Sequence, residues 1–267
     1  MKKTKFVLGI LMTLLSLAAI GQGQENKIDI LKERERAQVR DEILKERFNE
    51  LLPELMDRTG IDMWLIISRE YNEDPVMRTM LPAKWLNARR RTIIAFYRDK
   101  ERDTIEKLAV ARYDIGENIA SAWNKEEEPE QWRALERIIT SRNPSRIGIN
   151  HSEHFGLADG LVLTDYSELK QALPDSLDQR LVSAEKLSIA WIETRTKREM
   201  ELFEDLVQIT HDIIDEAFSS NVIKPGETTT DDVVWWMRQK VTDLGLETWF
   251  HPTIDIQRSD EELKSHI

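Results

Sequence analysis

The chain has 267 residues, a length for one or two domains, with 38 Lys+Arg against 49 Asp+Glu and a formal charge of −11. That excess of acid excludes a nucleic-acid-binding surface as the main activity, because such a surface needs a net basic face to displace counterions. Zero cysteines exclude disulfides, thiol catalysis, iron–sulfur clusters and cysteine-type zinc sites, so chemistry must rest on carboxylates, five histidines, hydroxyls, or a metal held by oxygen and nitrogen.

The first residues have the three parts of a secretory leader. Lys2, Lys3 and Lys5 are positive, Phe6 to Ile20 is uncharged and Leu-rich, and Ala19 and Gly21 are small residues suited to a cleavage site. A signal peptide over residues 1–23 implies an exported protein, periplasmic or secreted. Losing its three lysines takes the charge from −11 to −14. An uncleaved membrane anchor is the alternative, but the apolar core falls short of the roughly 20 residues that span a bilayer. No Cys follows it, which excludes a bacterial lipid-anchored form.

From Asp29 to Met56, apolar residues recur at three- and four-residue steps (Ile43, Leu44, Phe48, Leu51, Leu52, Leu55, Met56), which predicts a helix. Pro53 kinks or restarts it and Gly60 stops it. Ile61–Ser68, Arg91–Arg98 and Glu106–Tyr113 read as strands, the last two joined by a charged hairpin loop. Glu126-Glu127-Glu128-Pro129-Glu130 reads as a solvated helix start, opening an amphipathic helix over Glu130–Ser141. Arg146–Asn150 is a short strand. Phe155–Leu163 and Tyr166–Leu173 are short helical pieces, and Leu181-Val182-Ser183 is an edge strand. Helices alternating with strands over residues 29–191 predict an α/β domain with a mixed sheet.

Beyond Ile192 the texture changes. Thr196-Lys197-Arg198-Glu199 is a capping box opening a long helix with Met200, Phe203, Leu206, Val207, Ile213, Ile214, Ala217 and Phe218 on one stripe. Pro225-Gly226 turns the chain into a second helix capped by Thr228 to Thr230. Gly245 is placed for a left-handed stop, and Trp249–Gln257 reads as a strand. Two helices and a strand cannot close a core of their own.

Candidate chemistry is sparse. No G-x-S-x-G, P-loop, G-x-G-x-x-G or H-E-x-x-H motif occurs. His151 and His154 would share a helix face, but the stretch reads better as Ser152 capping a short helix. His211 reads as a boundary or surface residue. Arg89-Arg90-Arg91 reads as flanking a sheet edge or pairing with local acids. Of Trp235 and Trp236, about 100° apart on a helix, one faces the core and the other is left for an interface. His251, beside Trp249-Phe250, is the residue best suited to bind a substrate or an oxyanion.

The order of these segments carries a resemblance. E-T-R-T-K-R-E (Glu193–Glu199), I-K-P-G-E-T-T-T-D-D-V (Ile223–Val233) and W-F-H-P-T-I-D-I-Q-R (Trp249–Arg258) resemble the Xaa-Pro aminopeptidase, prolidase and creatinase group, the "pita-bread" metallopeptidases. Gly60–Asp74 and Ala158–Leu161 (A-D-G-L) resemble that group's creatinase-type amino-terminal domain. The resemblance implies an α/β creatinase-type domain over residues 29–191, then the first helices and strand of an incomplete α+β pita-bread catalytic domain over residues 192–267.

It further implies hydrolysis of the bond before a proline at the second position of a peptide, by water activated between two divalent metals (Mn, Co or Zn). Family members hold that pair with two aspartates, a histidine and two glutamates placed beyond the Trp249–Arg258 motif. No metal ligand and no catalytic residue can therefore be assigned here, and Asp231, Asp232 and Asp255 are not substitutes. By the same resemblance His251 sits in the stretch that leads into the active site and His266 falls near the place of a substrate-contacting histidine, which makes these two the substrate-binding candidates. On this reading the full-length parent is the peptidase and the present chain is inactive. A non-catalytic exported binding or dimerisation module is the competing reading. The group's pairing of subunits through this domain leaves a homodimer open, and an exposed Met200–Phe218 stripe favours aggregation.

Overall fold

The structure is a computed structural model and describes residues 30–256. The leader over residues 1–23 and His266 lie outside the described residues. Among the described residues no helix is long and apolar enough to cross a membrane.

The centre is β1 (Met63–Arg69), buried along nearly its whole length. It pairs antiparallel with β2 (Arg91–Asp99), which pairs antiparallel with β3 (Thr104–Ala109). On its other side β1 runs parallel to β5 (Ile147–Ile149), which runs parallel to the edge strand β6 (Leu181–Ser183). A two-residue strand, β4 (Ala120–Ser121), completes the sheet in the order β4-β3-β2-β1-β5-β6. The α/β fold with a mixed sheet follows from β-branched and aromatic runs buried on both faces.

Alternation along β1 divides the core in two. Trp64 and Ile66 face one side with Ile94 and Phe96 of β2, where α1 (Glu33–Glu46), α2 (Leu52–Thr59), α3 (Pro75–Met80) and α7 (Glu185–Glu193) contribute Leu44, Leu52, Leu55, Met77 and Trp191. Met63, Leu65 and Ile67 face the other side with Ile93 and Ala95, covered by α4 (Gln131–Arg142) and α5 (Leu163–Ala172) through Leu135, Ile139 and Leu169. The first face holds an aromatic cluster. Phe48 stacks on Trp191 at 5.6 Å between centroids, and Phe96 lies 5.4 Å from Phe48 and 6.1 Å from Trp64.

The turn that delivers Phe48 is a π-helical segment, Arg47–Leu51, between α1 and α2. Leu52 N donates to Arg47 O. Pro53 has no N–H for the carbonyl four residues back, so the ladder widens there instead of breaking. Gly60, at φ 69°, ends α2 in the left-handed region, which places Ile61 to enter the sheet.

Several expectations shift. The helix predicted from Asp29 begins at Glu33. The strand predicted over Glu106–Tyr113 ends at Ala109, because the Gln131 side chain separates its continuation from β2. The expected strand over Trp249–Gln257 is absent through residue 256, where the backbone is irregular; a lone apolar run has no strand here to pair with. Three helices went unforeseen: α3, capped by Asp74 with Pro75 in its first turn, the single-turn α6 (Asp175–Asp178), and α7. Ser152 caps no α-helix. Its Oγ accepts from His154 N and Phe155 N in a turn that leads to a 3₁₀ segment over Gly156–Ala158.

A buried polar group crosses the first core face. Asp74 Oδ1 accepts from Val76 N and Met77 N, and Asp74 Oδ2 accepts from Asn150 Nδ2 at 2.9 Å. Asn150 Oδ1 in turn accepts from Trp64 Nε1 (2.7 Å) and Ser188 Oγ (3.0 Å). Burial pushes the Asp74 carboxyl above its usual range, against the pull of those donors. Gly160 closes over this carboxylate so tightly that a Cβ there would lie 2.0 Å from Asp74 Oδ2.

Candidate functional site

The segment that follows the α/β core begins at α8 (Lys197–Ala217). Its capping box forms as the sequence predicts: Thr196 Oγ1 accepts from Glu199 N (3.3 Å) and Thr196 N donates to Glu199 Oε2 (2.8 Å). Glu199 has a second role. Arg47 Nη1 donates to it at 2.7 Å and to Thr194 O at 2.9 Å, Arg47 Nη2 donates to Trp191 O, and the guanidinium lies 4.4 Å over the Trp191 ring. This nearly buried arginine thus ties the start of α8 to the aromatic cluster. Burial draws its value below the usual arginine range, and Glu199 opposes the shift.

Beyond that anchor α8 is poorly covered. Only Ile213 and Ala217 are buried, both near its contact with α9 (Thr230–Asp243), while Met200, Phe203, Leu206, Val207, Ile214 and Phe218 are exposed. Phe203 retains 52% of its surface. Lys240 of α9 pairs with Glu216 at 2.7 Å, and Thr229 caps α9 through Asp232. The hydrogen bond from Thr229 holds the Asp232 carboxyl below its usual range. Gly245 (φ 64°) ends the helix region as predicted, with Leu246 N donating to Val241 O.

His251 is exposed and meets Arg238, whose Nη2 lies 3.1 Å from its Nε2. A guanidinium only donates, so Nε2 is the acceptor in this contact. Arg238 also lies 4.1 Å over Trp235, which is the more exposed of the tryptophan pair. Together with Leu246, Glu247 and Thr248 they form a shallow depression that holds one histidine, one arginine and one carboxylate. Such a pair can hold an anionic or carbonyl oxygen. It holds no metal.

Among the described residues no three His, Asp or Glu side chains come together in a way that would hold an ion. His151 Nδ1 meets Asp159 Oδ1 at 3.3 Å with no third ligand, and His211 is exposed. The two-metal centre that the resemblance implies therefore does not fit these residues.

A different cluster, not foreseen as a site, sits at the carboxyl end of β1. Arg69, its last residue, pairs in register with Arg91, the first of β2. Arg69 donates from Nε and Nη2 to the two oxygens of Asp165 at 2.8 Å each, a bidentate pair that holds its guanidinium above the usual value. Arg91 donates to Asp165 Oδ1 at 3.2 Å, to Glu168 Oε2, and from Nε to Gln131 Oε1 at 2.9 Å. It stacks 4.5 Å over Trp132, whose Nε1 donates to Glu168 at 2.9 Å. Trp132 and then Arg91 hold the Glu168 carboxyl below its usual range. Asp165 and Glu168 are one turn apart on α5 and an arginine stands at each of two facing strand ends, but nothing local in the sequence links the acids to the arginines.

No family model matches the chain, and no curated protein matches it. Among solved structures, an Xaa-Pro dipeptidase from Bacillus anthracis is similar at a TM-score of 0.43 and 15% identity, over 76% of this chain and 49% of that chain. The present chain thus spans about half the length of that dipeptidase.

Proposed function

We propose that this chain is the amino-terminal portion of an exported Xaa-Pro metallopeptidase, bearing the non-catalytic α/β domain and the opening helices of the catalytic one. The observation that carries the reading is α8. It is capped, anchored by Arg47 to the α/β core, and lined with Met200, Phe203, Leu206 and Phe218 left open to water. An amphipathic helix of 21 residues is stable in proteins through the face that it buries, so α8 suits a larger domain. The motifs at Glu193–Glu199, Ile223–Val233 and Trp249–Arg258 support the same reading.

The metal pair and bridging water would have to be supplied by residues other than 30–256, which bring together no fitting carboxylate set. His251 with Arg238 would serve to hold a substrate oxygen. The 267-residue chain is inactive on this proposal. Purified protein supplied in turn with Mn²⁺, Co²⁺ or Zn²⁺ should leave an X-Pro dipeptide uncleaved. Metal-dependent turnover would overturn the inactivity. An open reading frame continuing past Ile267 into carboxylate-rich strands would support the parent enzyme.

The exposed face of α8 also favours a second reading, an exported module that associates through that face without catalysis. A stop codon after Ile267, with a defined dimer in light scattering, would support the module over the peptidase.

A further inference from the structure

The cluster at the end of β1 belongs to a longer groove that the peptidase reading leaves without a use. Continuing β3 past Ala109 brings Arg112 three residues on, as Arg91 stands three residues back from its neighbour Ile94. Three adjacent chains therefore end in arginines: Arg69, Arg91 and Arg112. Here β2 and β3 part. Gln131, largely buried, fills the opening: its Nε2 donates to Arg91 O (3.1 Å) and to Val110 O (2.6 Å). The groove above it is lined by those arginines with Arg90, Lys125, Tyr113 and Trp123.

We propose that this groove is a binding site for a compact oxyanion of charge two or more, a phosphate group or a small polycarboxylate. Charge is the first reason. In a chain of net −11, five cations here face Glu70 and Glu168 on the wall and Asp165 behind them, leaving the groove positive. Among the described residues, the side chains of Arg90, Arg112 and Lys125 make no ion pair and no hydrogen bond. Such a concentration of unneutralised cations repels itself unless an anion joins it.

Rigidity is the second reason. Asp165, fully buried, fixes the Arg69 and Arg91 forks, so they lose little freedom on meeting an anion. Trp123 is held by its own hydrogen bond to Glu128 O, and Tyr113 by one to Arg89 O. The backbone is the third. Tyr71 and Arg90, two wall residues, have φ of 70° and 50°, a left-handed geometry that non-glycine residues adopt only under constraint. The carboxyl end of a parallel-paired strand, where chains leave in different directions, is also where open α/β sheets take ligands.

The oxyanion would sit across Arg90, Arg112 and Lys125, with the aromatic walls excluding water from one side. Titration calorimetry and Trp fluorescence of the full chain, with inorganic phosphate in one arm and citrate in the other, test this against sodium chloride at matched ionic strength. Saturable binding in either arm is expected, and the tighter arm identifies the source. The Arg112→Gln/Lys125→Gln double variant should weaken it about tenfold, while Lys197→Gln, on α8, leaves it unchanged. These side chains are exposed and unpaired, so unchanged circular dichroism and melting should accompany the loss. No saturation by about 10 mM of either anion, equal binding by the double variant, or equal weakening in Lys197→Gln would each overturn the site. None of these outcomes depends on peptidase activity, so the proposal stands or falls apart from the family reading.

Discussion

Arg69 and Arg91 face each other across the β1–β2 pair and both donate to the same oxygen of Asp165, at 2.8 and 3.2 Å. The Asp165 side chain is fully buried, while the two arginine side chains are 39% and 26% exposed. The energetic weight thus falls on the acid. Removing it strands two charges, whereas removing one arginine leaves the other in place with water able to reach the gap. Asp165→Asn should cost about 3 kcal/mol in urea denaturation and Arg69→Met about 1 kcal/mol. Equal costs would show that the acid is not the common anchor.

Asp74 accepts the first two amides of α3 and the Asn150 amide from one buried position. Asp74→Ala removes the cap and leaves Asn150 Nδ2 without its acceptor, for a loss of about 3 kcal/mol.

The same carboxyl makes a pH prediction. Above about pH 3.9 the unfolded chain has released this proton, while the folded chain, its value raised by burial, still holds it. Stability from this group is therefore greatest below that pH and falls as pH rises through the folded value. The difference between wild type and Asp74→Ala, followed by urea midpoints from pH 4 upward, should shrink with rising pH. A difference that grows would mean the carboxyl is stabilised in its charged form.

Gly160→Ala adds one methyl group, 2.0 Å from the buried Asp74 oxygen and within 2.9 Å of its Cα. Neither can retreat without breaking the α3 cap, so the variant should melt well below wild type, by an amount worth about 2–3 kcal/mol. Gly156→Ala, where a Cβ meets nothing within 4 Å, is the control and should be near neutral.

Glu199 is shared between the α8 capping box and Arg47. Glu199→Ala should speed amide exchange in the first turns of α8 while β1 and β2 keep their protection. Loss of protection throughout the sheet would show that α8 is integral to the α/β core.

Much of this molecule was legible in the sequence because its signals are local. The capping box at Thr196, the helix stop at Gly60, the left-handed stop at Gly245 and the β-branched run at Ile61–Ser68 each act within a few residues; the first three appear where predicted, and the strand runs from Met63 to Arg69. What was not legible depended on distant partners. The strand expected after Trp249 has the right composition but no strand beside it through residue 256. The Arg69–Asp165 pair joins positions 96 residues apart, and nothing local distinguishes Asp165 from other helix acids. Arg89-Arg90-Arg91 reads from the sequence as flanking a sheet edge or pairing with local acids; the acids that Arg91 reaches, Asp165 and Glu168, are distant ones on α5. His251 was singled out on its neighbours; the structure adds Arg238, thirteen residues away. Helix α7 was overlooked although its Trp191 sits at the centre of the aromatic cluster.

That placement of Trp191 sets a covalent minimum for the α/β fold. The ring stacks on Phe48 from 143 positions downstream, so the first helices have no finished surface to rest on until nearly the whole domain has been synthesised. A ribosome stalled before this codon, or a protease cutting ahead of α7, would release a piece with an open hydrophobic wound instead of a smaller working domain.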